Sequence, residues 1–145
     1  MVQKIACFGP AMHYLVYSFS LALATLALVT FDELVGFLLE RGHKVVVVDN
    51  LKYEPTSLLR YTLHENFEFQ NLDVKSIVPL KKIMDGCDVI IPLACLVGFP
   101  LCEAQPTEAV KVNYQVNEWI AENKSRDQIV IYPCTNSGYG SSDSG

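Results

Sequence analysis

Lys44-Val45-Val46-Val47-Val48-Asp49-Asn50 is the stretch on which the fold turns. Four consecutive valines leave no position to face water, so the run reads as a strand buried on both faces, as in a parallel sheet covered by helices. It ends on a carboxylate. In an open parallel sheet, ligands gather outside the carboxyl ends of the strands, where an acidic side chain can accept hydrogen bonds from both hydroxyls of an adenosine ribose. Such a carboxylate favours NAD over NADP, whose 2'-phosphate would meet like charge. Asp49-Asn50 also suits the opening of a turn, and these seven residues alone do not separate the two readings.

Upstream, the pattern supplies the helix of a βαβ unit. Asp32 is placed to cap it, Leu34, Val35, Leu38 and Leu39 form one apolar stripe, and Gly42 suits a left-handed closing position. A dinucleotide fold then requires a preceding strand and a G-x-G-x-x-G loop, with the acidic residue about 20 positions further on. That loop is absent: the only earlier glycines are Gly9, Gly36 and Gly42. Glycine is needed there because any side chain fills the space the pyrophosphate occupies. Weak dinucleotide affinity is the expectation.

The amino-terminal segment is also unusual. Tyr14 to Phe31 is an uncharged run of 18 residues with neither glycine nor proline, at the threshold for a membrane-spanning helix. Lys4 in front and Ala22-Leu23-Ala24 within it imitate a secretory signal. Three readings compete: a membrane anchor or signal, a first strand such as Ala24 to Thr30 behind a foreign extension, or a misassembled segment. The second and third agree better with the residues past Asp32, which resemble a cytosolic enzyme domain. The expected organisation is an atypical apolar segment over 1–31 and a partial Rossmann-like domain over 32–145.

Composition bounds the partners. With 145 residues and 50% hydrophobic content the chain can build a core, and its net charge of -5 without a basic run leaves no footprint for nucleic acid. Cys7, Cys87, Cys95, Cys102 and Cys134 form no C-x-x-C pair and no pattern with the histidines. No metal site is indicated, and buried reduced thiols in a cytoplasmic protein are expected.

Past Asp49 the chain alternates helix and strand patterns. Leu58 to Leu63 reads as a short helical piece, Asn66 to Asn71 as a strand, Ile77 to Met84 as a helix with Pro79 near its first turn, and Cys87 to Ala94 as a buried strand. A long helix is predicted from Thr107 to Asn123, burying Ala109, Val112, Val116 and Ile120, and a last strand over Ile129 to Tyr132. The architecture is α/β: a Rossmann-like doubly wound parallel sheet, incomplete, with helices on both faces.

Four stretches carry a family resemblance: Leu38-Leu39-Glu40-Arg41-Gly42-His43-Lys44 through Asp49-Asn50-Leu51; Leu72-Asp73-Val74; Leu93-Ala94-Cys95; and Thr135-Asn136-Ser137-Gly138-Tyr139-Gly140. In their order and spacing the chain resembles the extended short-chain dehydrogenase/reductase family, in the NAD-dependent epimerase/dehydratase branch that works on nucleotide sugars. The resemblance implies that Asp49 and Asn50 contact the adenosine ribose and that Asp73 with Val74 meets the adenine edge. It also implies that Leu93, Ala94 and Cys95 line the dinucleotide cleft. Asn113, in Val112-Asn113-Tyr114, matches a structural asparagine beside the cofactor.

The resemblance assigns catalysis to Thr135, whose hydroxyl would bond the reacting oxygen of the substrate while a tyrosine, activated by a lysine four residues on, moves the proton. No Tyr-x-x-x-Lys occurs: Tyr14, Tyr17, Tyr53, Tyr61, Tyr114, Tyr132 and Tyr139 all lack the lysine. Dehydratases of this branch carry Thr-Asp-Glu where this sequence has Thr135-Asn136-Ser137, so an epimerase or reductase of a nucleotide sugar is the expected type, with these 145 residues inactive on their own. A half-sheet exposing apolar surface is expected to self-associate, as in a homodimer. The alternative is a non-catalytic α/β binding protein, membrane-anchored through residues 14 to 31.

Overall fold

A computed structural model describes residues 4–8, 21–52 and 56–132. Its strands are β1 (Lys4–Phe8), β2 (Lys44–Asp49), β3 (Phe67–Asn71), β4 (Val89–Pro92) and β5 (Ile129–Val130), joined in one sheet of order β3-β2-β1-β4-β5. Every pairing is parallel. The order reverses at β1, from which the chain first steps to β2 and later to β4 on the other side, so the switch-point crevice opens at the carboxyl ends of β1 and β4.

The valine run behaves as a strand buried on both faces. Val45 and Val47 pack with Val89 and Ile91 against Phe31, Val35, Leu38 and Leu39 of helix α1 (Leu21–Glu40). Val48 and Ile90 point the other way, into a second cluster with Leu80 and Met84 of α2 (Ile77–Met84) and with Val112, Val116 and Ile120. The period-two alternation of a strand divides one apolar run between two helical layers.

The first strand and the start of the first helix differ from expectation. Ala24 to Thr30 is helical, within α1, and the strand is Lys4–Phe8, paired in register with Lys44–Val48. Alanine and leucine, which dominate the run from Leu21, are among the strongest helix formers, and the helix therefore starts well before Asp32. Asp32 is consequently no cap. It lies inside α1, where its side chain pairs with Arg60 and its carbonyl accepts a hydrogen bond from the Tyr61 hydroxyl at 3.0 Å. Among the described residues, no helix is long and apolar enough to cross a membrane. Residues 9–20, where a phosphate-binding loop would fall, lie outside the described residues, as does part of the 14–31 run.

The closure of α1 is as read. Gly42 has φ +78°, its N–H bonds to Leu39 O at 2.9 Å, and the His43 N–H reaches Leu38 O at 3.1 Å. This paired capping of the last carbonyls turns the chain directly into β2.

Further on, a 3-10 helix spans Thr56–Tyr61, α2 has the predicted bounds, and Gln128 ties it to the next strands. The buried Gln128 amide donates to Cys87 O at 2.7 Å and to Met84 O, and its Oε1 accepts from Ser125 N at 2.8 Å. The expected helix 107–123 forms, with a widened turn in its middle. It comprises α4 (Pro106–Ala109), a π-helical turn (Val110–Gln115) and α5 (Val116–Asn123), preceded by a short α3 (Phe99–Ala104). The Asn117 amide caps the widened turn by donating to Asn113 O at 2.9 Å. Val112, Val116 and Ile120 are buried as expected, and Ala109 is partly buried.

Gly36 sits on the seam between α1 and the 3-10 helix. A Cβ added there would stand 2.5 Å from the Tyr61 hydroxyl and 3.3 Å from its ring carbon. Gly36→Ala should therefore forgo the usual gain of about 1 kcal/mol for alanine in a helix, because it pushes Tyr61 off the Asp32 carbonyl. In a Tyr61→Phe background the same substitution should become stabilising. Thermal melts of the four proteins in this cycle check it, and an equal effect of Gly36→Ala in both backgrounds would contradict it.

Candidate functional site

The loops leaving β2, β3 and β4 converge on one cleft. Its walls are Val48, Asp49, Asn50 and Lys52 from the end of β2, Leu72, Asp73 and Val74 after β3, Ala94 and Leu96 after β4, and Glu108 and Val112 from the helical layer. These loops leave the carboxyl ends of parallel strands, so the cleft lies on the side where open α/β sheets bind ligands.

Asp49 anchors it. The last residue of β2 is only 9% exposed, and burial pushes its carboxyl above the usual carboxylate range, partly offset by a hydrogen bond that Oδ1 accepts from Leu51 N at 2.7 Å. Leu51 itself has φ +55°, and the next amide, Lys52 N–H, donates to Asn50 Oδ1 at 3.1 Å. A buried carboxylate raised in this way gains most from donors brought by a ligand.

Asn50 and Asp73 face each other at the cleft mouth, with Asn50 Nδ2 3.4 Å from Asp73 Oδ2. Asp73 Oδ1 accepts from Lys75 N at 2.9 Å, closing a tight turn into α2. Lys75 Nζ lies 3.5 Å from Asp73 Oδ2 and is bonded to Glu108, and the Glu108 bond is the main cause holding the ammonium pKa above its ordinary value.

Asn113 stands one step behind the wall. Its Oδ1 accepts from Leu96 N at 2.7 Å and its Nδ2 donates to Leu96 O at 2.8 Å, so a single amide satisfies both backbone groups of the residue after Cys95. The π-helical turn carries Asn113, and such turns recur where a helix must aim a side chain at a site.

Of the residues expected in the site, Asp49, Asn50, Asp73, Val74 and Ala94 come together in the cleft. Leu93 packs on the α1 side of the sheet. Cys95 is partly buried, with its thiol pushed up first by burial and then by neighbouring Cys102. Thr135 lies outside the described residues. Reading the sequence missed Leu96, Lys52 and Glu108: an acidic residue in a helix's first turn signals only a favourable dipole position, and its place in this wall depends on tertiary packing. Among the described residues no cluster of histidine, cysteine and carboxylate groups could hold a metal ion.

The fold recurs in solved structures. An epimerase from the methanogen Methanothermobacter thermautotrophicus matches with a TM-score of 0.71 at 20% identity, over 94% of this chain and 36% of that one. A UDP-N-acetylglucosamine 4-epimerase from Methanobrevibacter ruminantium M1, solved with UDP-N-acetylmuramic acid, matches with a TM-score of 0.70 at 20% identity, over 99% and 41%. A UDP-glucose-4-epimerase from Stenotrophomonas maltophila with bound NAD and formylated UDP-arabinopyranose matches with a TM-score of 0.67 at 17% identity, over 97% and 39%. The chain thus spans about two fifths of the length of these structures. The model of the NAD dependent epimerase/dehydratase family matches residues 32–145, most of the sequence, and the chain belongs to that family.

Proposed function

We propose that the cleft holds the adenosine end of NAD and that the chain is the cofactor-binding part of an oxidoreductase of the epimerase or reductase type acting on a nucleotide sugar. The observation that carries this is the buried carboxyl of Asp49, pushed above the usual carboxylate range by burial, at the carboxyl end of β2. Ribose hydroxyls would supply the hydrogen-bond donors that its burial calls for, and a 2'-phosphate would not. Asn50 would support the same ribose. Asp73 and Val74 would border the base, and Ala94, with Leu93 and Cys95 in the same loop, would track the cofactor toward β4. Asn113 is a positioning residue, acting through Leu96.

Bound there, NAD would supply the hydride chemistry at a sugar carbon. The protein's own share is to orient the substrate oxygen, through Thr135, and to move its proton. Proton transfer calls for a tyrosine whose pKa is lowered by a lysine, and no Tyr-x-x-x-Lys stands among these 145 residues. Asn136 and Ser137 offer no carboxyl pair for water elimination, which favours epimerisation or reduction over dehydration. The same reading places the protein in the cytoplasm, with α1 covering the sheet rather than crossing a bilayer, and leaves self-association as a homodimer to be read from its solution mass.

Asp49→Asn should weaken NAD binding while raising the melting temperature at neutral pH. The folded-state pKa of Asp49 lies above its unfolded value, so the folded state binds more protons and the carboxylate's penalty appears as pH rises through that interval. The advantage of Asp49→Asn should accordingly shrink as pH is lowered through the folded pKa toward 3.8, and melts over that range with parallel NAD titrations measure it. Asn113→Asp replaces the donor to Leu96 O with an acceptor and should cost about 1–3 kcal/mol in denaturant unfolding, with a loss of NAD affinity. Purified as these 145 residues, the chain should convert no nucleotide sugar with NAD; measurable turnover would contradict that assignment of the proton relay.

A further inference from the structure

One chain of polar contacts crosses the outer end of the cleft. It runs from Asn50 to Asp73, from Asp73 to Lys75, and from Lys75 to Glu108. Asn50, Asp73 and Glu108 all line the cleft, and they come from three places: the end of β2, the loop after β3 and the first turn of α4. The series therefore ties one wall to the other. The cavity between the walls is about 30 Å³, roughly a fifth of the ~150 Å³ of an apolar cavity that takes up a single benzene ring. A purine ring system is several times larger, so a base cannot lie in the cleft while the walls hold this separation.

We propose that the Lys75–Glu108 ion pair is a strap that shuts the base end of the cleft and must part before an adenine nucleotide can seat. The proposal rests on reading the cleft as a nucleotide site. It names two residues that set the fraction of molecules ready to bind. Their side chains are 34% and 30% exposed, so the pair is held only weakly against solvent. Glu108 also sits in the first turn after a break in the helix, since Gln105 leaves helical conformation between α3 and α4, and shortly before the widened π-helical turn that begins at Val110. A small displacement of α4 would separate the walls without disturbing the buried Val112, Val116 and Ile120 behind it.

Removing either partner should favour the open arrangement. Glu108→Gln frees the ammonium from the α4 side. Lys75→Met leaves Asp73 and Glu108 as two carboxylates facing each other without their shared cation, which drives the walls apart. When only the open fraction binds, apparent affinity scales with that fraction.

The test is titration of wild type, Glu108→Gln and Lys75→Met with adenosine and with AMP, by calorimetry or amide chemical shifts, after melts confirm folding. Both variants should bind both ligands about two- to fivefold more tightly than wild type. Added salt should narrow the gap by loosening the strap in wild type. Simple charge effects predict otherwise: opposite shifts for the two variants with AMP, and none with uncharged adenosine. That pattern, or equal affinity in all three proteins, overturns the strap and leaves the nucleotide site standing. Failure of all three proteins to bind either ligand refutes the nucleotide reading of the cleft, and the strap falls with it.

Discussion

Burial of Val45 to Val48 on both faces governs the layout of the whole molecule. Alternate side chains commit β2 to two helical layers at once, so the strand can neither slip by one residue nor move to an edge without exposing an apolar row. Asp49 comes next in the chain. Its carboxylate is thereby carried to the rim of the sheet, where full solvation is denied to it and where the backbone of Leu51 offers only one compensating donor. The candidate site is the place where a well-packed strand ends on a carboxyl that burial raises above its ordinary range.

The surrounding elements serve that rim. The Gly42 cap delivers α1 into β2 at a fixed angle, and the Asp32–Arg60 pair with the Tyr61 hydrogen bond fixes the 3-10 helix beyond the site loop. Gln128 fastens the end of α2 to the chain entering β5, and Asn113 fastens the loop after β4. The Gln128 amide satisfies three backbone groups and the Asn113 amide two, which is economical where loops leave a sheet and ladder hydrogen bonds have run out.

The core of this arrangement was legible in the sequence. A valine run with a terminal carboxylate, a glycine in a capping position, and an eight-residue apolar pattern at Ile77–Met84 are local signals, and the structure keeps all three. The first strand was not legible, because Lys4–Phe8 is short and mixes lysine and alanine with its apolar residues, while the more apolar Leu21–Thr30 is built of residues that prefer helix. Asp32 misled for a related reason: a capping residue type in front of an apolar stripe is ambiguous when the helix is already under way. In the site, Asp49, Asn50, Asp73 and Ala94 sit at the ends of strand patterns and could be placed in advance. Glu108 could not, since its place in the wall depends on the packing of α4 and on a partner 33 residues away.

If the rim beyond β2, β3 and β4 is where an adenine nucleotide binds, amide chemical-shift mapping with ADP-ribose will locate it there. The perturbed amides should cluster at Leu51, Lys75, Ala94 and Leu96, on the carboxyl side of the sheet. Shifts gathered instead at the opposite rim, around Lys44 and Phe67, or none above those of a non-nucleotide control, would contradict a nucleotide site at this rim.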